Sequence, residues 1–288
     1  MILPIDKNLV KSTIKKRPVE ADKTTVGSML SVCGSYGMAG AAIMSSKAAL
    51  KSGIGLLKAA VPKSIYPILA SCIPEAVFYP IDDNFLSDFD FAEKSKYCSA
   101  ILAGPGLSVN NAVKELVENI ILKSEIPLVL DADALNIVSE NTSILSECKA
   151  PVIITPHDRE FCRLVGCYPD RLQNRREELA LKFSERYNVI VVLKGHKTLV
   201  ASPSGELYYN EQLGNAGMAA GGSGDVLSGI TASFAAQGFD PFKSAASAVY
   251  IHALAGDIAK EKYGEFSMLP SDIIECIHIA FKELNIGY

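Results

Sequence analysis

The chain's densest chemistry lies in the run Asn215-Ala216-Gly217-Met218-Ala219-Ala220-Gly221-Gly222-Ser223-Gly224-Asp225-Val226-Leu227-Ser228-Gly229-Ile230, a glycine-dense loop that leads into an apolar, helix-like segment. Gly217, Gly221, Gly222 and Gly224 allow positive φ and close approach of the backbone to a ligand. The amides of such a loop, together with the free N–H groups of the helix start behind it, form a concave site for an anion. Asp225 falls in the first helical turn. A carboxylate there is either a cap, worth about 1 kcal/mol, or a base held beside the anion. A turn by itself needs fewer glycines, which favours the anion site. The spacing is not Gly-x-x-x-x-Gly-Lys-Ser/Thr and no lysine follows, so this is not a P-loop.

Other polar groups stand where apolar runs end. Thr155-Pro156-His157-Asp158-Arg159-Glu160 follows Val152-Ile153-Ile154. Asp158 suits a helix cap, whereas His157 and Glu160 suit ligand contact, Glu160 through a magnesium-bound water network. Lys194-Gly195-His196-Lys197-Thr198 is either an ordinary connection or a cationic turn for a nucleotide phosphate. Asp131 and Asp133 either orient magnesium or cap the next turn, and Asn136 lies just beyond. Gly104-Pro105-Gly106 is a turn with little meaning alone. His252 and His278 fall in helical segments and read as structural. Tyr208 and Tyr209 carry no assigned chemistry.

These groups need a scaffold that brings them together. Short apolar runs (Met29–Cys33, Leu56–Val61, Ala76–Tyr79, Ser99–Ala103, Pro127–Leu130, Pro151–Ile154, Val189–Leu193) alternate with glycine or polar turns and helix-like stretches such as Met38–Ser52 and Asn110–Leu122. This grammar predicts an α/β fold, a mostly parallel sheet with helices on both faces. Thr198–Ser202 and Glu206–Asn210 predict an antiparallel hairpin around Pro203-Ser204-Gly205. Three helices are expected over 225–237, 241–263 and 270–284. Ligands of such sheets bind beyond the carboxyl ends of the strands. The turns Gly34–Gly37, Gly104–Gly106, Asp131–Asn136, Thr155–Glu160, Lys194–Thr198 and Gly221–Asp225 should therefore surround one cleft. No repeat or linker divides residues 1–288, which read as one domain. Residues 1–27 are charged and aperiodic, an arm that packs on the outside or on another subunit.

The chain has 288 residues, 49% hydrophobic, with net charge −4. That balance argues against a nucleic-acid partner, which usually requires a basic patch. Cys33, Cys72, Cys98, Cys148, Cys162, Cys167 and Cys276 form no C-x-x-C pair and read as buried thiols of a reducing compartment. No secretory leader is visible. The longest apolar stretch, Ala39 to Pro62, contains three lysines, so no membrane span is expected. The chain is expected to be soluble and cytoplasmic.

Five segments together resemble a known family. The string Gly214 to Gly229 is similar to the signature of the ADP/ATP-dependent (S)-NAD(P)H-hydrate dehydratases, within the ribokinase-like superfamily. Gly34-Ser35-Tyr36-Gly37-Met38-Ala39-Gly40-Ala41-Ala42, Leu130 to Asn136, Ile154 to Phe161 and Val192 to Thr198 agree in order, and the resemblance covers about residues 25–285. It implies a ribokinase-like fold and repair of NADHX and NADPHX, the hydrated forms of NADH and NADPH, with ADP or ATP as co-substrate and Mg2+ as cofactor. It implies Asp225 as the base, Ala41, Gly106, His157 and Asp225 around the hydrate, and Lys194, Gly195, His196, Lys197, Thr198, Asn215, Gly222 and Gly224 on the nucleotide side. Family members are commonly tetramers, and a homo-oligomer of this chain is expected. Some carry an epimerase domain; this chain is too short to include one, so the epimerase is expected as a separate protein. Two departures stand out. Ala220 replaces a usual Thr, and Asp158-Arg159 stand where the family usually has Pro-Gly before Glu, adding charge near the substrate. A ribokinase-like small-molecule kinase is the alternative; a nucleotide sensor without turnover is disfavoured by Asp225.

Overall fold

The computed structural model describes residues 2–23, 25–83, 86 and 89–287. The chain begins with β1 (Ile2–Pro4), α1 (Lys7–Thr13), β2 (Ser28–Val32), α2 (Ala39–Lys51), β3 (Leu56–Pro62), α3 (Tyr66–Cys72), β4 (Val77–Ile81) and α4 (Phe91–Ser95). It continues through β5 (Ala100–Ala103), α5 (Asn111–Lys123), β6 (Leu128–Leu130), α6 (Asp133–Val138), β7 (Val152–Ile154), α7 (Asp158–Val165), α8 (Pro169–Gln173) and α9 (Arg176–Tyr187). It closes with β8 (Val189–Leu193), β9 (Leu199–Ala201), β10 (Leu207–Tyr209), α10 (Ser223–Ala236), α11 (Pro241–Tyr263) and α12 (Pro270–Glu283).

Among the described residues the strands form one ten-stranded sheet in the order β1-β10-β9-β8-β7-β6-β5-β2-β3-β4. All run parallel except β9, which is antiparallel to β8 and β10 and makes the expected hairpin. Fully buried β-branched runs such as Val189-Ile190-Val191-Val192 fit strands covered on both sides. Alternate residues of one strand feed two cores. Ile190 and Val192 fall in the core that includes α11, whereas Val189 and Val191 fall in the core that includes α9. Helices therefore cover both faces, as expected. The chain winds from β2 outward to β4, then returns to β5 on the other side of β2 and continues the opposite way. The β2/β5 boundary is thus the switch point at which such sheets open a crevice.

Residues 2–14 pack on the chain's own edge: β1 pairs with β10, and Val10 of α1 is fully buried in the core that includes α11. All seven cysteines are free thiols, but Cys72, Cys148 and Cys167 are half-buried rather than buried, because each sits at an element's end instead of inside an apolar run. Among the described residues no helix is long and apolar enough to cross a membrane.

Helix α10 lies against α2 at a distance only glycine permits. A Cβ on Gly229 would fall 2.1 Å from the Ser45 carbonyl oxygen. Gly229→Ala must push the two helices apart, and overpacking of this kind costs about 1–3 kcal/mol. We expect a lower urea midpoint with an unchanged slope; an unaltered midpoint would show that α2 and α10 do not hold each other this closely.

Candidate active site

The strand ends supply the first groups. β7 and β8 extend their pairing past their last regular residues through a parallel bridge between His157 and Lys194, and the Lys194 amide donates to the Pro156 carbonyl at 2.8 Å. His157 and Lys194 thus emerge side by side. Lys194 Nζ donates to Asp131 Oδ1 at 2.7 Å, and Asp131, just beyond β6, is 1% exposed. A carboxylate so buried needs a cation, and Lys194 is that cation.

The sequence suggests Asp158 as the cap of α7. The structure gives that place to His157, whose Nδ1 accepts from the Arg159 and Glu160 amides at 3.1 Å each. Glu160 completes a capping box by accepting from the His157 amide at 2.8 Å, and its other oxygen lies 3.4 Å from His157 Nε2. With Nδ1 an acceptor, the ring proton sits on Nε2, facing Glu160 or a ligand. Asp158 instead pairs with Arg176, whose guanidinium also donates to the Leu193 and Lys194 carbonyls at 3.3 Å each. Arg176 therefore ties the start of α9 to the β8–β9 turn. Its position among the charges of Arg175-Arg176-Glu177-Glu178 gives no sign of this in the sequence.

Helix α10 starts with Gly222 at its N-cap, and among the described residues no side chain caps it. Its first helical bond runs from Val226 to Gly222, and the Gly224 and Asp225 amides have no acceptor among the described residues. Of the four loop glycines expected at positive φ, only Gly222 adopts it, at 103°. Gly217 is required for space instead: a Cβ there would lie 2.4 Å from Met268 Sδ. Asn215 shapes the loop. Its Oδ1 accepts from the Gly217 amide at 3.0 Å, and its Nδ2 donates to Asp257 and to the Gly256 carbonyl.

A cavity of about 1090 Å3 opens against this helix start. Its polar lining includes His157, Arg159, Lys194, His196 and Gly224, and its apolar lining includes Leu213, Met218, Leu227, Val249 and Ala253. Gly195, Thr198 and Asn215 also line it, whereas Lys197 is exposed outside it. Thr198 closes the turn through bonds between its hydroxyl and Gly195. His252 lines the cavity too, with Nε2 3.2 Å from Ser223 Oγ. It supports the anion loop, a role that its helical sequence context does not signal.

The remaining turns form an adjoining half-site rather than part of that cavity. The Gly34 amide donates to Pro105, Ser35 Oγ lies 2.7 Å from Ser108 Oγ, and Asp133 accepts from the Ser108 amide at 2.8 Å. Gly106 sits against α2 so closely that a Cβ would lie 2.9 Å from the Ala41 methyl. Ala41 and Gly106 are thus brought together at the switch point, and the Asp131–Lys194 pair joins this half to the cavity.

Charge is concentrated between the halves. Burial, and after it the Asp131 carboxylate, push Asp225 up to about 7 against the opposing pull of Lys194, with Asp133 and Glu160 adding to the rise. Burial works against the charge of Lys194, but Asp131, Glu160 and Asp225 outweigh it and hold its pKa above the usual value. Burial, then the Lys194 charge, push His252 down to about 4, so it is neutral at pH 7. Among the described residues no three His, Cys, Asp or Glu side chains converge as a metal cage. The donor set instead fits a magnesium ion carried by phosphates, since that ion needs only one or two protein carboxylates and keeps several waters.

A mostly parallel sheet covered by helices on both faces, with this cleft at its strand ends, is the ribokinase-like fold; the chain superimposes with TM-score 0.87, at 27% identity and over 98% of this chain and 96% of that one, on a ribokinase-like superfamily protein of Enterococcus faecalis. Residues 29–278 match the sequence profile of the family described as NAD(P)H-hydrate dehydratase, and the chain belongs to that family. It is 38% identical over 254 residues to the ADP-dependent (S)-NAD(P)H-hydrate dehydratase of Neisseria meningitidis, covering 87% of this chain and 83% of that one. It is 35% identical over 283 residues to a bifunctional NAD(P)H-hydrate repair enzyme of Moorella thermoacetica, covering 96% of this chain but 53% of that one. The chain thus spans about half the length of that relative. It superimposes with TM-score 0.86, at 28% identity and over 98% of each chain, on the ADP/ATP-dependent NAD(P)H-hydrate dehydratase of Bacillus subtilis co-crystallized with ATP/Mg2+.

Proposed function

We infer that this chain is a hydro-lyase that returns the S epimer of NADHX and NADPHX to NADH and NADPH, driven by ADP or ATP. The observation that carries the reading is Asp225, a carboxylate titrating near 7 beside the open amides of Gly224 and Asp225 itself. Hydroxide is a poor leaving group and phosphate a good one. Asp225 takes the proton of the ring hydroxyl as its oxygen attacks the terminal phosphoryl group, releasing AMP from ADP or ADP from ATP. Phosphate then leaves the ring with a proton from the adjacent carbon, and the double bond returns.

Phosphoryl transfer is mostly positioning and charge stabilisation. The amides around Gly222–Gly224 receive the transferring group, the cavity holds the nucleotide, and Ala41, Gly106 and His157 bound the hydrate. Lys194, already within reach of Asp131, Glu160 and Asp225, offsets their repulsion of the phosphates. Mg2+ bound with the nucleotide would supply further neutralising charge, and Glu160 would hold it through water. The reading extends to residues 1–288 acting as one domain in a cytoplasmic homotetramer. It includes an epimerase activity that supplies the S form; the bifunctional relative, of which this chain matches 53%, supports such a second activity.

The test is recovery of absorbance in the reduced-nicotinamide band from acid-hydrated NADH with Mg2+, comparing ADP, ATP and no nucleotide. Nucleotide-dependent recovery is expected. Folded protein that binds ADP yet restores no absorbance would remove the dehydratase reading, and a stable phosphorylated product would replace it with a kinase.

A further inference from the structure

We propose that Arg159 is a specificity-determining contact for the terminal phosphate of the nucleotide donor. The inference rests on the reading that the cavity holds that donor. Arg159 is the second residue of α7, exposed, and lines the cavity together with His157, Lys194 and Gly224. Its backbone amide is used by the His157 cap, at 3.1 Å. Its guanidinium has no ion-pair or hydrogen-bond partner among the described residues. The neighbouring acids are already engaged, Asp158 by Arg176 and Glu160 by His157. A cation in the first turn of a helix also opposes the positive end of the helix dipole, a placement that works against stability. An unpaired, electrostatically misplaced arginine facing a cavity is therefore explained by an anion that the chain itself does not contain.

The neighbours of Arg159 say which part of the donor that is. His157 accepts from the Arg159 amide, His157 is bridged to Lys194, and Lys194 Nζ lies 3.1 Å from where a Cβ of Gly224 would stand, so Arg159 shares its stretch of the lining with the open amides that suit a phosphate. A planar guanidinium with several N–H donors matches a phosphate bidentately. The hydrate carries phosphates of its own, so the experiment must separate the two sources. Arg159 stands at one of the two positions where the chain departs from the family's Pro-Gly-Glu pattern, so the contact belongs to this sequence rather than to the fold.

The test is calorimetric binding of ADP and AMP, with Mg2+, to the full chain and to Arg159→Ala and Arg159→Lys at low and high salt. Arg159→Ala is expected to weaken ADP about tenfold at low salt while AMP changes less than about twofold, because AMP lacks the terminal phosphate. The difference should shrink at high salt, and Arg159→Lys should retain part of it. The melting temperature of Arg159→Ala should not fall, which a structural role would require. Equal losses for ADP and AMP, or unchanged ADP binding, overturn the proposal. So does a rise confined to the KM for the hydrate, which would place Arg159 on that substrate. If the wild-type chain binds ADP with this pattern but restores no reduced nicotinamide, the contact stands and the dehydratase reading fails.

Discussion

Asp225→Asn is expected to lose about two to four orders of magnitude in turnover, the usual contribution of a positioned general base, while still folding and binding ADP. Asparagine keeps the size of the side chain and the open amides around it but cannot take a proton. ADP binding should hold or tighten, because the carboxylate that repels the phosphate is gone. In the wild type, kcat/KM should fall about tenfold per pH unit below about 7, where Asp225 becomes protonated. The same group predicts a stability effect of opposite sense. Its folded pKa, about 7, lies above its ordinary value of 3.8, so the folded state binds the proton more tightly than the unfolded chain. The stability this provides is complete below the ordinary value and is lost as pH rises through the folded one. At pH 8 the wild type carries a charge that its surroundings disfavour, and Asp225→Asn should be more stable by about 1–3 kcal/mol after allowance for partial exposure. At pH 4 the two should melt together. Near-normal turnover in the variant would remove Asp225 as the base, and a lower melting point at pH 8 would contradict the strained carboxylate.

The sheet and its cleft were largely legible because they rest on strong local signals. Val189–Leu193 is an unbroken β-branched run, and the structure forms a strand over those same residues. Pro241 at a first helical turn and Gly264 just past the end bound α11 at the expected limits. Residues 158–187 were not legible as α7, α8 and α9, because they are rich in charge and present few apolar positions. Their packing comes from Phe161 and Phe183, which meet edge to face 5.6 Å apart, a contact between residues distant in sequence. The sequence points to Asp158 as the cap of α7 because aspartate is a common choice there. Histidine caps here because its Nδ1 happens to face two amides, which only the fold can reveal. Arg176 gives no sign for a similar reason, since it touches the site through tertiary packing from a helix whose local pattern is ordinary; His252, which reads as structural, acts so through Ser223. Ala41 and Gly106, named through resemblance, prove to be in contact although no spacing rule connects them.

Lys194→Met should be the most destabilising change at the site. It removes the cation that pairs with Asp131 at 2.7 Å and leaves a carboxylate of 1% exposure without its partner. Breaking a buried pair from one side typically costs about 3–5 kcal/mol, because the stranded charge has neither water nor a partner. Asp131→Asn combined with Lys194→Met removes both charges and should recover much of that loss, since a neutral amide beside an apolar chain is far cheaper to bury. The double variant should nevertheless remain impaired in catalysis. Lys194 draws the pKa of Asp225 downward, and without it the base stays protonated to higher pH. Its loss should also weaken ADP binding, because among the described residues no other ammonium lies this close to Gly224, where a Cβ would stand 3.1 Å from Nζ. The pair thus has two separable roles, one joining β6 to β8 and one setting the potential at the anion loop. Urea unfolding of both single variants and the double variant separates the first role from the second, which steady-state kinetics reads. If the double variant is no more stable than Lys194→Met, the stranded charge is not the cause of the loss. If it regains both stability and turnover, Lys194 serves structure alone.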